Sequence, residues 1–249
     1  MSRHGGPKIA CWSLMAACFM QSSPASTAPL RSAILESWTM PLTYASHGAP
    51  ERGLIPDLYR LIAAESQTSI ELIPLPRARI EIALDKAQVD ILCYSSPNWL
   101  NAPYHFIWSL PFMTQRDLLV GRERYPWFNG IESLSGAQLG TVLGYHYPSL
   151  QGLLGSGKLQ RVDIRSQQQV LEMLRAQRLD YGISNELSLH WFNRQSPEKP
   201  ALTALEVIQE EPIACLVRDD PQVPAQKVLR AMVRLQQRGE FNRLLQRYR

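Results

Sequence analysis

The sequence predicts an α/β fold made of two β-α-β-α-β sets, each a mostly parallel sheet flanked by helices. Three observations predict it. Short, nearly continuous apolar runs alternate with stretches of helical periodicity, as parallel strands covered on both faces require. The order of elements up to residue 112 recurs after it, with no repetition of sequence. No low-complexity linker separates the two sets, so they are expected to share strands rather than hang on a tether.

The first strand is read at 32–37 (SAILES), followed by a loop from Trp38 through Tyr44 to Gly53. Pro56 and Asp57 open a helix with Leu58, Leu61 and Ile62 on one face. Asp57 is expected to serve that helix start rather than a ligand. Residues 70–75 (IELIPL) read as the second strand and 76–87 as a helix presenting Ile80, Ala83, Leu84 and Ala87. The third strand is 89–93 (VDILC), and the apolar extended segment 106–112 (FIWSLPF) crosses into a second lobe.

In the second set, strands are expected at 117–121, 138–142, 162–164 and 180–184. Gly144 to Pro148 leads into a short helix, where backbone amides near Gly144 would face an anion. Ser166 and Gln169 form a capping box for the helix that carries Val170, Leu171 and Leu174. The polar stretch 193–204 reads as a surface loop and 213–217 as a further strand. Asp219, Asp220 and Pro221 introduce a long helix with Val228, Met232 and Leu235 in one stripe. Gly239 breaks it before a last apolar face of Phe241, Leu244, Leu245 and Tyr248.

A chain of 249 residues suits one large domain or two small ones. No apolar run reaches the roughly 18 residues of a membrane-spanning helix. The net charge of +4 is mild, and no cluster of Lys and Arg is interleaved with aromatics, so nucleic acid is not an expected partner. Arg3 and Lys8 precede an apolar segment at 9–20, and Ser23-Pro24-Ala25 has the small-x-small form of a cleavage site. Residues 1–25 therefore read as a secretory signal. Without Arg3 and Lys8 the chain has 24 basic and 22 acidic residues, a net charge of +2. Residues 15–18 loosely match a lipoprotein box, in which Cys18 would be lipidated.

Export implies an oxidising compartment. With Cys11 and Cys18 in the signal, Cys93 and Cys215 remain, and an even pair permits one disulfide. Both lie in apolar runs where separate buried thiols are equally natural. No Cys/His spacing suggests zinc.

The chemistry concentrates after the third strand, where Tyr94, Ser95, Ser96, Pro97, Asn98 and Trp99 follow the apolar run. Hydroxyls, an amide and an indole thus sit at the carboxyl edge of a sheet, where open α/β sheets bind small ligands. This loop reads as half of a solute-binding cleft.

Six segments in order carry a family resemblance. They are GLIPDL at 53–58, VDI at 89–91, WSLPF at 108–112, LSGAQLGTVLG at 134–144, RLDYGI at 178–183 and VRDD at 217–220. From about residue 30 onward the chain resembles the bacterial periplasmic solute-binding proteins that serve polar amino acid transporters, solute-binding family 3. The resemblance implies a two-lobed, type II periplasmic-binding-protein-like fold with two crossing strands. Lobe I would comprise 29–112 with 213–249, and lobe II 113–212. The implied topology sets the 213–217 strand beside the 89–93 strand, which gives Cys93 and Cys215 a geometric chance to pair.

Amino-acid binders of that family hold the ligand carboxylate with an arginine in the loop after the third strand. A bidentate guanidinium suits that task. Here residues 96–102 (SPNWLNA) contain none. The family's acid for the ligand amino group follows the last strand of lobe II, where this chain has Ser184-Asn185-Glu186. The resemblance thus implies a different ligand set. Trp38 and Tyr44 would stack on the ligand or cap the lobe core. Ser95, Ser96, Asn98 and Trp99 would donate hydrogen bonds and a ring. Arg77, or Arg79, would restore the positive charge or stay on the surface. Thr141, Gly144, Tyr145 and His146 (with Tyr147 beside them) would form the facing edge, with Asn185 in place of the acid. Arg116 would latch the lobes or lie exposed.

The expected function is capture of a small polar solute, an amino acid or related compound, in the periplasm for transport. The expected partners are that solute and an inner-membrane permease or sensor, with the protein a monomer and without cofactor or metal. An enzyme of the same fold acting on cyclic acids, a dehydratase with Glu186 and His146 as acid/base, is the alternative. A sensor module acting in trans is another. No Ser/His/Asp order or paired carboxylates favour the enzyme.

Overall fold

The computed structural model describes Met1 and residues 28–46, 49–123 and 126–249. Apart from Met1, the expected signal segment, with its candidate lipidation site Cys18, lies outside the described residues. The first half of the chain forms β1 (Leu30–Leu35), a hairpin of β2 (Tyr44–Ser46) and β3 (Ala49–Arg52), and α1 (Leu54–Ser66). It continues through β4 (Ile70–Leu75), α2 (Ile80–Asp85), β5 (Ile91–Ser95) and β6 (Phe106–Trp108). The second half contains β7 (Met113–Gly121), β8 (Gln138–Val142), α3 (Gln151–Gly155), β9 (Gln160–Ile164), α4 (Gln167–Arg175), β10 (Tyr181–Asn185) and α5 (Glu186–Arg194). The chain then runs through β11 (Thr203–Arg218), α6 (Ala225–Gln237) and α7 (Glu240–Gln246).

These elements make a two-lobed α/β fold. One lobe has the strand order β4-β1-β5-β11, with β6 also on β11, and the other β7-β10-β8-β9. The pairs β1–β4, β1–β5, β8–β9 and β8–β10 are parallel, and the partners of β7 and β11 are antiparallel. β11 joins the halves. It pairs with β7 from Thr203 to Ile213 and with β5 from Ala214 to Val217. β7 and β11 therefore run side by side across the junction as its two crossing strands.

Each lobe has apolar clusters on both faces of its sheet, so the central strands β5, β8 and β10 lack polar alternation. In the first lobe, Ile91, Cys93, Cys215 and Val217 pack under α1, α6 and α7, while Leu92 and Leu216 point the other way toward Ile80 and Leu84 of α2. In the second, Leu139 and Ile183 meet Leu150 and Leu153, and Leu118 and Val120 meet Val170 and Leu174 of α4. Cys93 and Cys215 are directly paired across β5 and β11 and are disulfide-bonded, with 122 residues between them in sequence. Of the two readings left open, the bonded one holds. The Cys93 amide donates to the buried Tyr59 hydroxyl of α1 at 2.6 Å.

Local signals explain several boundaries. Ser166 Oγ accepts from the Gln169 amide at 3.3 Å and starts α4. Gly53 opens α1 at φ +125°, where a Cβ would stand 2.5 Å from the Leu42 carbonyl oxygen, so only glycine fits. Gly239 takes φ +69° between α6 and α7. Asp57 lies in the first turn of α1 and accepts from the Tyr248 hydroxyl at 2.8 Å, which ties that turn to the C-terminus.

Three expectations are corrected. The stretch 193–204 is not wholly a loop, because α5 reaches Arg194 and β11 begins at Thr203. The strand expected at 213–217 is 16 residues long. Its first part carries Glu206, Gln209 and Glu210, whose polarity hid a strand held by backbone pairing to β7. The helix expected at 76–87 is a 3-10 turn, Arg77–Arg79, running into the short α2.

Candidate functional site

A cavity of about 80 Å³ lies between the lobes, against the crossing strands. Its first wall is the carboxyl edge of β5. Tyr94 sits there at φ +61°, a conformation uncommon for a side-chain-bearing residue and frequent at functional sites. This sets the Tyr94 ring edge-on to Trp38, with centroids 5.6 Å apart. Ser95, Asn98 and Trp99 continue the wall. Arg77 flanks it, with Nη2 donating to the Trp99 carbonyl at 2.8 Å and Nη1 lying 4.0 Å from Glu81.

The floor comes from the crossing strand β7. Gln115 and Asp117 both line the cavity, and both are buried. Two residues apart on a strand, they share a face. Glu211 on β11 pairs directly with Gln115 and is buried too. Glu211 accepts from Ser96 Oγ at 2.9 Å, Asn98 Nδ2 at 3.0 Å and Gln209 Nε2 at 3.0 Å. It therefore moors the loop after β5 to the crossing strand.

The second lobe supplies Tyr145, His146, Tyr147, Gln167 and Asn185. The Tyr145 hydroxyl comes within 3.4 Å of Ser37 Oγ in the first lobe. The cavity is smaller than the roughly 300–1,000 Å³ of small-molecule pockets, and the Ser37–Tyr145 contact bridges the two lobes beside it.

Burial governs the electrostatics. Asp117 is pushed up to about 6 by desolvation, which the hydrogen bond from Gln115 only partly offsets and the charge of Glu211 reinforces. The Tyr94 and Tyr145 phenols are raised, first by burial and then, for Tyr94, by Asp117.

Of the residues singled out from the sequence, Trp38, Arg77, Ser95, Asn98, Trp99, Tyr145, His146 and Asn185 meet around this cavity. Tyr44, Ser96, Thr141 and Gly144 are not among its lining. Tyr44 is exposed on the β2–β3 hairpin with the Arg52 guanidinium 4.4 Å over its ring. Ser96 is buried behind the wall, bonded to Glu211. The Thr141 hydroxyl donates to Asp163 at 2.9 Å. Gly144 lies against Arg77 at φ +78°, and a Cβ on it would sit 3.7 Å from Cβ of Arg77. The amides of Leu143 and Tyr145 bond to the Ile164 and Val142 carbonyls, and the helical turn begins only at Pro148, so Gly144 sits in a turn before the helix rather than at its start. Asn185 lines the cavity, but its Oδ1 is engaged by the Ser188 amide as the cap of α5. Arg116 is exposed and paired with Glu210 and Glu186 at 2.7 and 3.6 Å, so it links β7 to β11 and α5 rather than lobe to lobe.

Gln115, Asp117 and Glu211 were not anticipated. The signal was present in β7, where period-two alternation puts Gln115 and Asp117 on the same side as Leu119, a fully buried residue. For Glu211 there was no such signal, because it follows two other polar residues.

No protein-family model matches the sequence, and no curated protein matches it. Solved structures do match in fold. A histidine kinase sensor domain with similarity to periplasmic binding proteins superposes with a TM-score of 0.73 at 17% identity, over 90% of this chain and 96% of that one. An ancestral amino acid-binding protein, a precursor of cyclohexadienyl dehydratase, gives 0.72 at 15% identity over 88% and 95%. An ancestral arginine-binding protein bound to arginine gives 0.71 at 16% identity over 88% and 97%.

Proposed function

We propose that this protein is an extracytoplasmic solute-binding protein, a divergent relative of solute-binding family 3. It captures a small polar solute, an amino acid or related compound, between its lobes and delivers it to an inner-membrane permease. The observation that carries this is the cavity itself, walled by rings and hydrogen-bonding groups from both lobes and floored by the crossing strands. Such a site closes when contacts between the lobes form, as Ser37 and Tyr145 do, and ligand shifts the population toward that state. On this reading the lobes are 29–112 with 213–249, and 113–212. The change of partner along β11 after Ile213 supports that division.

The 1–25 signal and the periplasmic location belong to the same proposal, as does action as a monomer. Support for export comes from the disulfide, a feature of oxidising compartments. The test is thermal stabilisation of the mature protein across amino acids, organic acids and sugars, with mass spectrometry of whatever co-purifies. A native-state ligand raises stability by mass action.

Two observations favour other readings. The fold match to a sensor domain supports delivery of the closed form to a membrane kinase in trans. Binding of a candidate solute that leaves uptake unchanged but alters a kinase output would select that reading. The fold match to a dehydratase precursor, with Asp117 held near 6, supports elimination from a cyclic acid. We place capture ahead of catalysis because Glu186, the acid expected to act, pairs with Arg116 and is not among the cavity lining. Turnover of a cyclic acid that is lost in Asp117→Asn would reverse that order.

A further inference from the structure

We propose that the captured solute carries an N–H-bearing organic cation, an ammonium or guanidinium group, and that Asp117 on β7 receives it. This rests on the capture reading and names the chemistry of its ligand.

The cavity lining holds buried polar atoms that lack a partner. Asp117 Oδ1 accepts from Gln115 Nε2 at 2.8 Å, and no hydrogen bond among the described residues reaches Oδ2. Gln115 Oε1 is buried with no partner, and so is the Tyr94 hydroxyl. Gln115 and Tyr94 are 8% and 4% exposed, and both line the cavity. An entering anion would meet carboxylate and amide oxygens. A group with several N–H donors would satisfy them.

Charge points the same way. Asp117 lines the cavity and Glu211 lies buried beside it on β11, and neither joins an ion pair among the described residues. Glu211 already accepts from three donors, which leaves Asp117 as the carboxylate on the cavity lining. Arg77 is drawn toward the Trp99 carbonyl and Glu81 instead. Buried charge is costly unless paired, so a ligand cation gains from both carboxylates at once. Trp38, Tyr94, Trp99 and Tyr145 line the same cavity, and aromatic rings attract cations.

The experiment is calorimetric titration and thermal shift of the full mature chain at pH 7.5. The probes are L-arginine, agmatine and putrescine as cations, glutarate and succinate as anions, and glucose as a neutral solute. The expected result is binding by at least one cation and a loss of tenfold or more in its affinity in Asp117→Asn. Binding by an anion or glucose alone overturns the cation assignment and leaves capture standing. Binding by no probe overturns both.

A second measurement needs only the wild-type chain. Titrating the bound cation at pH 6 in two buffers of different ionisation enthalpy is expected to show proton release that vanishes at pH 8, as Asp117 ionises on binding. Asp117 has Gln209 on β11 and Asn185 on β10 as strand partners, Gln115 as its donor and Glu211 acting on it by charge, and Tyr94, Arg77, Tyr145, His146 and Tyr147 line the same cavity. A cation whose affinity is unchanged in Asp117→Asn lies elsewhere, and that result overturns the assignment.

Discussion

The hydroxyls of Ser37 and Tyr145 come within 3.4 Å of each other across the cleft, one from each lobe. A neutral hydrogen bond of this kind contributes about 0.5–1.5 kcal/mol net, and it forms only when the lobes approach. Tyr145→Phe keeps the ring and removes the bond. The expected outcome is a 2- to 12-fold weaker affinity for the solute, with folding stability of the free protein little changed. Titration calorimetry checks the first and thermal unfolding the second.

The disulfide between Cys93 and Cys215 closes a long loop and fastens β11 to β5 inside the first lobe. Replacing both residues by alanine is expected to cost about 2–5 kcal/mol of folding stability. Denaturant unfolding of the double variant, beside the wild type with and without reductant, measures it. An unchanged midpoint would mean the bridge constrains nothing that folding requires.

Asp117 gives stability an unusual dependence on pH. Its value rises from 3.8 in the unfolded chain to about 6 in the fold, because burial favours the neutral form. The folded state then binds more protons than the unfolded state between these values, so stability is lost as pH rises through about 6. The loss amounts to about 3 kcal/mol at 1.36 kcal/mol for each unit. Asp117→Asn removes it. The expected outcome is a variant more stable than wild type at pH 8 without ligand, and a difference that shrinks by pH 4.5. Asp90 acts oppositely. Burial raises it, but Arg31 and Arg218 outweigh that and hold it below 3.8, so its contribution disappears only on further acidification.

Glu211 is the mooring of the loop after β5, through Ser96 and Asn98. Glu211→Ala leaves three donors without their acceptor, including the buried Ser96 hydroxyl. Each hydrogen bond to a charged group contributes about 1.5–3 kcal/mol, so a destabilisation of at least about 3 kcal/mol is expected. Chemical denaturation reads the stability, and hydrogen exchange of residues 96–99 reads the loosened loop.

Gly53→Ala tests the entry to α1. The new methyl would press on the Leu42 backbone, and φ +125° is closed to alanine. A loss of at least about 2 kcal/mol is expected from equilibrium unfolding. The loop between β1 and α1 also carries Trp38, so solute affinity is expected to fall with it.

The order of elements was legible in the sequence because both lobes bury their sheets on two faces. Segments such as ILC in β5 and IAC in β11 must then be apolar throughout, and the pattern survives without any tertiary knowledge. The polar edge after β5 was legible for a related reason. Ser95, Asn98 and Trp99 follow an apolar run at the end of a strand, where the sheet gives way to solvent or ligand. Tyr44 and Thr141 were misplaced because sequence cannot say on which side of a chain turn a residue emerges. The hairpin carries Tyr44 outward, and Asp163 on the neighbouring strand captures the Thr141 hydroxyl.

Sequence by itself determined two sets of covered parallel strands, the absence of arginine from residues 96–102 and the pair of cysteines. Tertiary structure alone decided the floor of the cleft. Gln115, Asp117 and Glu211 come from segments about 95 residues apart and meet only because β7 and β11 pair in antiparallel register across the junction. An acid in a polar stretch of sequence is ordinary. Only its removal from water beside a second acid makes it a place for a positive charge, and that removal is a property of the assembled sheet.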